Sequence, residues 1–280
     1  PRGGCRARPA CLALSGRLAS ILPQLPQLPP DMVMDNEPFP ILPPTFSGNS
    51  RSVDVGNVFD WLRQGWATFI VNPGTWIAMM VITIVIFIGL AIVPLIGQLA
   101  AHLLTPVLAA GMLVACRKVA SEETLEIADL FAGFQRNTGP LMMLGVLYMI
   151  GMLLVSLLVL ALAGGGLAGG LMMGSPVGAS IAVGGFLVGA MLWLALSVPI
   201  AMAIWFAPAL VLFNDMPPVD ALKASFNACL RNIVAFLVFG LIVMVLCFFA
   251  ALPVGLGFLV LGPVLAGAIY ASYRDIFAAA

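Results

Sequence analysis

Three stretches of this chain carry no charge at all: residues 72–116, 137–214 and 232–273, which are 45, 78 and 42 residues long. A helix needs about 20 apolar residues to cross a bilayer. The first and third stretches therefore each hold two crossings and a short turn. The second holds two crossings and an additional piece. Charged residues make up only 9% of the chain and hydrophobic ones 62%, whereas a soluble domain is about 25% charged. A water-facing globule is excluded. The formal net charge of zero points to no nucleic-acid partner and no acidic substrate.

The remaining charges fall in islands. Arg51 and Arg63 precede the first run; Arg117, Lys118 and Arg136 separate it from the second; Lys223 and Arg231 precede the third; Arg274 follows it. The middles of the runs have no Lys or Arg. Short-loop Lys and Arg mark the cytoplasmic face, and two crossings per run return every island to one side. The expected fold class is an all-α integral membrane protein of the bacterial inner membrane, with both termini cytoplasmic. Its six spans are predicted at 74–95, 97–117, 140–162, 190–213, 232–252 and 254–273.

Each run is entered through similar text: "WATFIVNPGTWI" (66–77), "FAGFQRNTGPLM" (131–142) and "FNACLRNIVAFL" (226–237). Aligned on Asn72, Asn137 and Asn232, an aromatic stands six residues earlier in each copy, at Trp66, Phe131 and Phe226. Phe69, Phe134 and Cys229 stand three earlier, and Leu62, Ile127 and Leu222 ten earlier. Steps of four and three residues place these on one helical stripe. Glu122, Glu126 and Asp129 in the second copy, and Asp220, Lys223 and Asn227 in the third, fall on or near the opposite face. The pattern predicts a short amphipathic helix before each hairpin, lying in the headgroup layer. Ser121 before Glu122–Glu123 and Pro217–Pro218 read as helix starts. Trp61, Trp66 and Trp76 suit the interfacial aromatic belt.

The ends of the runs also echo one another. "TPVLAAGMLVACRK" (105–118) and "GPVLAGAIYASYRD" (262–275) each place an arginine, Arg117 or Arg274, eleven residues after a proline. "APALVLFND" (207–215) keeps the proline. The plan is three parallel repeats of about 53–118, 121–215 and 217–275. Eleven residues at 1.5 Å each put Pro106 and Pro263 roughly 16 Å from the charged border. Each proline frees the carbonyl four residues back, on His102, Ile204 and Leu259. Either neighbouring helices satisfy these sites, helped by small residues such as Ala109, Ala110, Gly111, Ala266 and Gly267, or bent helices line a central space. On the second reading Gln98, His102, Thr105, Pro106, Pro208 and Pro263 are the candidate solute-contact residues. The Gly-rich segment 163–185 reads as a re-entrant segment, an extended outer loop or extra helical turns, and as a flexible filler rather than a pore lining.

Residues 1–50 form a separate unit, with eight prolines between positions 23 and 44 that favour an extended, disordered arm. Arg17 interrupts the apolar run Cys11–Leu22, unlike a secretory signal; a start at Met32 or Met34 is the expectation. The five cysteines, Cys5, Cys11, Cys116, Cys229 and Cys247, form no C-x-x-C pair and read as small packing residues.

Little in the text suggests chemistry. One histidine and scattered cysteines supply no metal set, no nucleophile has a base beside it, and no cofactor motif is present. "LFAGFQRNTGPLMMLGVLY" (130–148), "WFAPALVLFNDMPPVDALKASFNACLRN" (205–232) and "LGPVLAGAIYASYRDIF" (261–277) resemble a family of uncharacterised proteobacterial inner-membrane proteins. The resemblance covers roughly residues 53–277 and implies a six-helix integral membrane protein. It carries over no catalytic residue. The expected role is a non-enzymatic membrane scaffold or assembly protein, with membrane lipids and a second copy or another membrane protein as partners. The alternative is a small passive pore or carrier for a neutral or lipid-like solute.

Overall fold

A computed structural model describes residues 49–277. The arm up to residue 48, Met32, Met34, Cys5 and Cys11 lie outside the described residues. The described chain is helical, without strands: α1 (Asn57–Val71), α2 (Pro73–Ala91), α3 (Ile96–Ala120), a 3-10 turn (Ile127–Phe131) running into the one-turn α4 (Ala132–Gln135), α5 (Thr138–Met172), α6 (Pro176–Trp205), α7 (Ala207–Asn214), α8 (Pro218–Arg231), α9 (Ile233–Ala251) and α10 (Phe258–Phe277). Among the described residues, five pieces are long and apolar enough to cross a membrane: α2, α3, α5, α6 taken together with α7, and α9. The sequence predicts a sixth at α10. That helix is twenty residues long, but Tyr270, Ser272, Tyr273, Arg274 and Asp275 make its second half more polar than the others.

Of the conformations open to the segment 163–185, the structure has extra helical turns rather than a flexible filler. It forms the end of α5 and the start of α6, joined by a turn at Gly174, whose φ of +58° suits a residue without a side chain. A Cβ on Gly170 would stand 2.4 Å from the Ala182 nitrogen, and one on Gly185 would stand 2.6 Å from the Leu167 nitrogen. These glycines let the two backbones meet. The resulting helices, about 50 and 45 Å long at 1.5 Å per residue, exceed the bilayer's hydrocarbon thickness of about 30 Å.

Each pair of long helices is preceded by a shorter segment. That segment packs on the return helix of the preceding pair: residues 127–135 on α3, and α8 on α6. The first segment, α1, packs on the last helix, α10, so the packing order closes on itself. Backbone proximity makes two of these contacts possible. A Cβ on Gly65 would lie 2.2 Å from the Val264 oxygen, and one on Gly267 would lie 2.8 Å from Gly65 Cα. A Cβ on Gly111 would lie 1.9 Å from the Leu130 oxygen, and one on Gly133 would lie 2.3 Å from the Val107 oxygen. The third contact uses a hydroxyl. Ser225 of α8 accepts from the Phe206 N–H at 3.0 Å and donates to the Met202 carbonyl at 2.7 Å. It thus bridges two groups that a continuous helix would join directly, which is a recognised cause of a helix break. Pro208 follows, and α7 begins as a separate short helix.

The buried faces correct several sequence expectations. In α1, Val58, Trp61, Gly65 and Phe69 are buried, and in α8, Ala221, Ser225, Ala228 and Cys229. Of the expected belt tryptophans only Trp66 is exposed, at 52%, while Trp61 and Trp76 are buried. Each buried indole spends its N–H, Trp61 on Asp275 at 3.0 Å and Trp76 on the Thr68 carbonyl at 3.1 Å. Ser121 does not start a helix. Helix α3 runs to Ala120, the Ser121 N–H closes on the Arg117 carbonyl at 3.0 Å, and Glu122 takes a left-handed φ of +58°. The second entry segment is therefore a 3-10 turn and one α turn rather than the short amphipathic helix expected. Asp129 leaves the polar face: it is buried, with its carboxylate on Lys118 at 2.6 Å and on the Glu126 N–H at 2.9 Å.

Gly65→Ala and Gly111→Ala should each destabilise the protein by about 1–3 kcal/mol, as overpacking against backbone does. Gly139→Ala, whose Cβ meets nothing within 4 Å, should be neutral or slightly stabilising. Thermal unfolding of the three variants in detergent checks this order.

Candidate functional site

The three aligned prolines, Pro106, Pro208 and Pro263, are all buried. The carbonyl that Pro106 frees on His102 faces Gly145 of α5, where a Cβ would come within 2.5 Å of that oxygen. Helix α5 thus covers the freed group by close approach. Of the six candidate solute-contact residues, the structure brings together Gln98 and His102. They share a groove of about 310 Å3 with Leu95, Leu99, Met149, Met152, Leu153 and Ser156, between α3 and α5. The His102 ring stands 5.8 Å from that of Tyr148. Among the described residues, no carboxylate lines this groove. Thr105 turns elsewhere and donates to the Ala101 carbonyl at 2.7 Å. Among the described residues, no three His, Cys, Asp or Glu side chains gather as metal ligands would.

Polar chemistry concentrates instead at the charged end. Arg51 reaches the Asp275 carboxylate and its carbonyl. The other Asp275 oxygen accepts from Asn57 at 2.8 Å and Trp61 at 3.0 Å. The Arg51 N–H donates to the Ile276 carbonyl at 3.0 Å. Buried Asn232 accepts from the Val53 N–H at 2.8 Å and donates to the carbonyls of Arg51 and Ala228, both at 3.0 Å. Residues 51–57 are thereby clasped to the end of α10 and the α8–α9 junction. Beside the clasp lies a polar groove of about 320 Å3, lined by Asp60, Gln64 and Arg274 as well as Asn57, Trp61 and Asp275.

The three aligned asparagines do different work. Asn72 caps α2, accepting from the Thr75 N–H at 3.3 Å. Asn137 takes a left-handed conformation and donates to Asp215 at 2.8 Å and to the Val211 carbonyl at 2.9 Å. Asn232 holds the N-terminal segment. The aligned arginines also diverge. Arg117 lies over the Phe213 ring at 4.8 Å, whereas Arg274 lines the polar groove. Along the expected stripe Trp66 and Phe134 are exposed, Phe131 and Phe226 half-buried, and Phe69 buried. Ser225 and Asp275 were not legible as key residues. The available signal was position: Ser225 stands seven residues before Asn232, as Gly65 does before Asn72.

Burial opposes the charge on Asp275, but hydrogen bonds from Asn57, Trp61 and Arg51 outweigh it and hold the carboxyl below its usual value. The clasp's stabilisation is therefore fully present above the unfolded-state value of about 3.9 and is lost as pH falls through the lower folded value. The difference in thermal stability between the wild type and Asp275→Asn should be constant above about pH 5 and shrink on further acidification. Unfolding curves in detergent between about pH 3 and 7 measure it.

No family model matches the chain, and no solved structure matches it. Over 221 residues the chain is 34% identical to a probable inner membrane protein of Burkholderia thailandensis, an alignment covering 75% of this chain and 79% of that protein. With that coverage, and with several helices apolar enough to cross a bilayer, the chain belongs to this family of inner-membrane proteins and is itself a multi-pass inner-membrane protein.

Proposed function

We propose that the protein is a non-enzymatic scaffold or assembly protein of the inner membrane. In this reading it has six spans in three like-oriented repeats, with its charged end and both termini in the cytoplasm. The observation that carries the reading is how the polar side chains are used. Asp275, Asn232, Asn137 and Ser225 each bind the protein's own backbone or side chains, and none of these groups converges on a reacting position. The entry segments meanwhile leave apolar side chains uncovered: Phe59, Trp66 and Ile70 on α1, Phe134 on α4, and Val219 and Leu230 on α8. Phe59, Arg63, Trp66 and Ile70 are spaced along one face of α1, which suits the headgroup layer or an apolar patch on a second membrane protein or a second copy. A passive carrier for a neutral or lipid-like solute is the second reading, and it draws on the uncharged groove of Gln98 and His102.

Trp66→Asp combined with Phe59→Asp should leave the protein folded and inserted, because both side chains lie outside the core. The pair should dissolve any high-mass assembly seen by native electrophoresis of membranes at natural expression levels. Unchanged migration, or migration of the wild type as a single copy, contradicts the scaffold reading.

A further inference from the structure

Helix α3 turns two neutral polar side chains, Gln98 and His102, into one groove against α5. Both belong to the charge-free run 72–116, and His102 stands about 9 Å along α3 from the turn that joins it to α2. A polar side chain inside a membrane is costly unless something takes up its hydrogen bonds. Nearby hydroxyls avoid that cost: Thr105 donates to the Ala101 carbonyl at 2.7 Å and Ser156 to the Met152 carbonyl at 2.8 Å. The Gln98 and His102 side chains have no hydrogen bond to any described residue. They are also within reach, Gln98 being exposed and His102 half-buried. A molecule lying in the groove therefore meets both.

The lining narrows the occupant. Among the described residues, no charged side chain borders the groove, so the part it holds is neutral. An amide NH2 and an imidazole N–H both donate. One helical turn separates them, about 6 Å along the axis, close to the span between the two carbonyl oxygens of a benzoquinone ring. The thioethers of Met149 and Met152 stand in the same wall and adapt readily to a flat conjugated ring. Leu99 and Leu153 add hydrocarbon, which suits an isoprenoid tail. The volume of about 310 Å3 falls at the small end of ligand pockets, roughly 300–1,000 Å3, and gives room for one ring. A diacylglycerol offers carbonyls too, but its flexible head makes no use of the flat, methionine-lined wall.

We propose that this groove binds a membrane quinone: one ring carbonyl accepts from the Gln98 amide and the other from the His102 imidazole, while the tail follows Leu99 and Leu153 into the lipid. The proposal rests on the carrier reading, whose groove this is, and names its solute. The test uses the full chain in phosphatidylcholine nanodiscs and a radiolabelled, decyl-substituted benzoquinone. The wild type should bind about one probe molecule saturably, and excess unlabelled probe should displace it. Gln98→Leu and His102→Leu should each weaken binding about fivefold, the worth of one ordinary hydrogen bond. His102→Gln, which keeps a donor, should bind nearly as the wild type does. Met152→Trp, which fills the groove, should weaken binding at least about tenfold. Without probe, both leucine variants should unfold at the wild-type temperature, because neither side chain they replace is hydrogen-bonded within the described residues. Equal binding by the wild type and the leucine variants, or no saturable binding of the quinone, would overturn the proposal. Saturable binding of dioctanoylglycerol in place of the quinone would overturn it as well, and would leave the carrier reading standing. Saturable quinone binding without faster transfer of the probe between vesicles would support the site and contradict carriage.

Discussion

The fold depends on backbone meeting backbone at a few points where side chains would keep helices apart. Lipid is as apolar as leucine, so helices in a membrane gain nothing from hiding apolar surface from water and must gain from packing and hydrogen bonds. Gly65 and Gly267 let α1 settle onto α10, and Gly111 and Gly133 let the 127–135 segment settle onto α3. Ser225 achieves the third docking differently, by occupying a gap in the α6 ladder. Remove these close contacts and the hairpins retain their internal pairing but lose what orders them around one another.

Polar side chains reinforce that order at one end. The Arg51–Asp275 clasp, the Asn232 bridge and the Asn137–Asp215 link each join segments distant in the sequence. Of these only the Asn232 bridge is built on a buried side chain; Arg51 and Asp215 are exposed, and the Arg136–Asp215 ion pair, exposed on both sides, is of small worth. The same economy explains why the structure offers few candidates for chemistry. Trp205 is the exception: its buried indole N–H has no acceptor among the described residues.

The apolar, membrane-crossing helices were legible because charge cannot be placed at depth without cost, and absence of charge over 42 to 78 residues is unambiguous. The small residues beside Pro106 and Pro263 were legible as contact points for the same reason. What the apolar stripe would touch was not. Lipid and protein interior select the same side chains, so Trp61 and Trp76 read as membrane-facing while the fold buries them. Asp129 could not be placed because its partner, Lys118, belongs to the preceding helix and is reached only after the 121–126 turn reverses the chain. The order in 163–185 was hidden because glycine's flexibility and its use in tight helix contact leave the same composition.

Among the described residues, the fold is closed by its first helix, α1, docking on its last, α10. Cysteines at positions 51 and 275, in a background with the native cysteines replaced by alanine, test it in isolated inner membranes treated with an oxidant. An intramolecular disulfide should form rapidly, seen as a faster-migrating monomer that reverts on reduction. Failure to cross-link, or cross-linking only between separate chains, would contradict it.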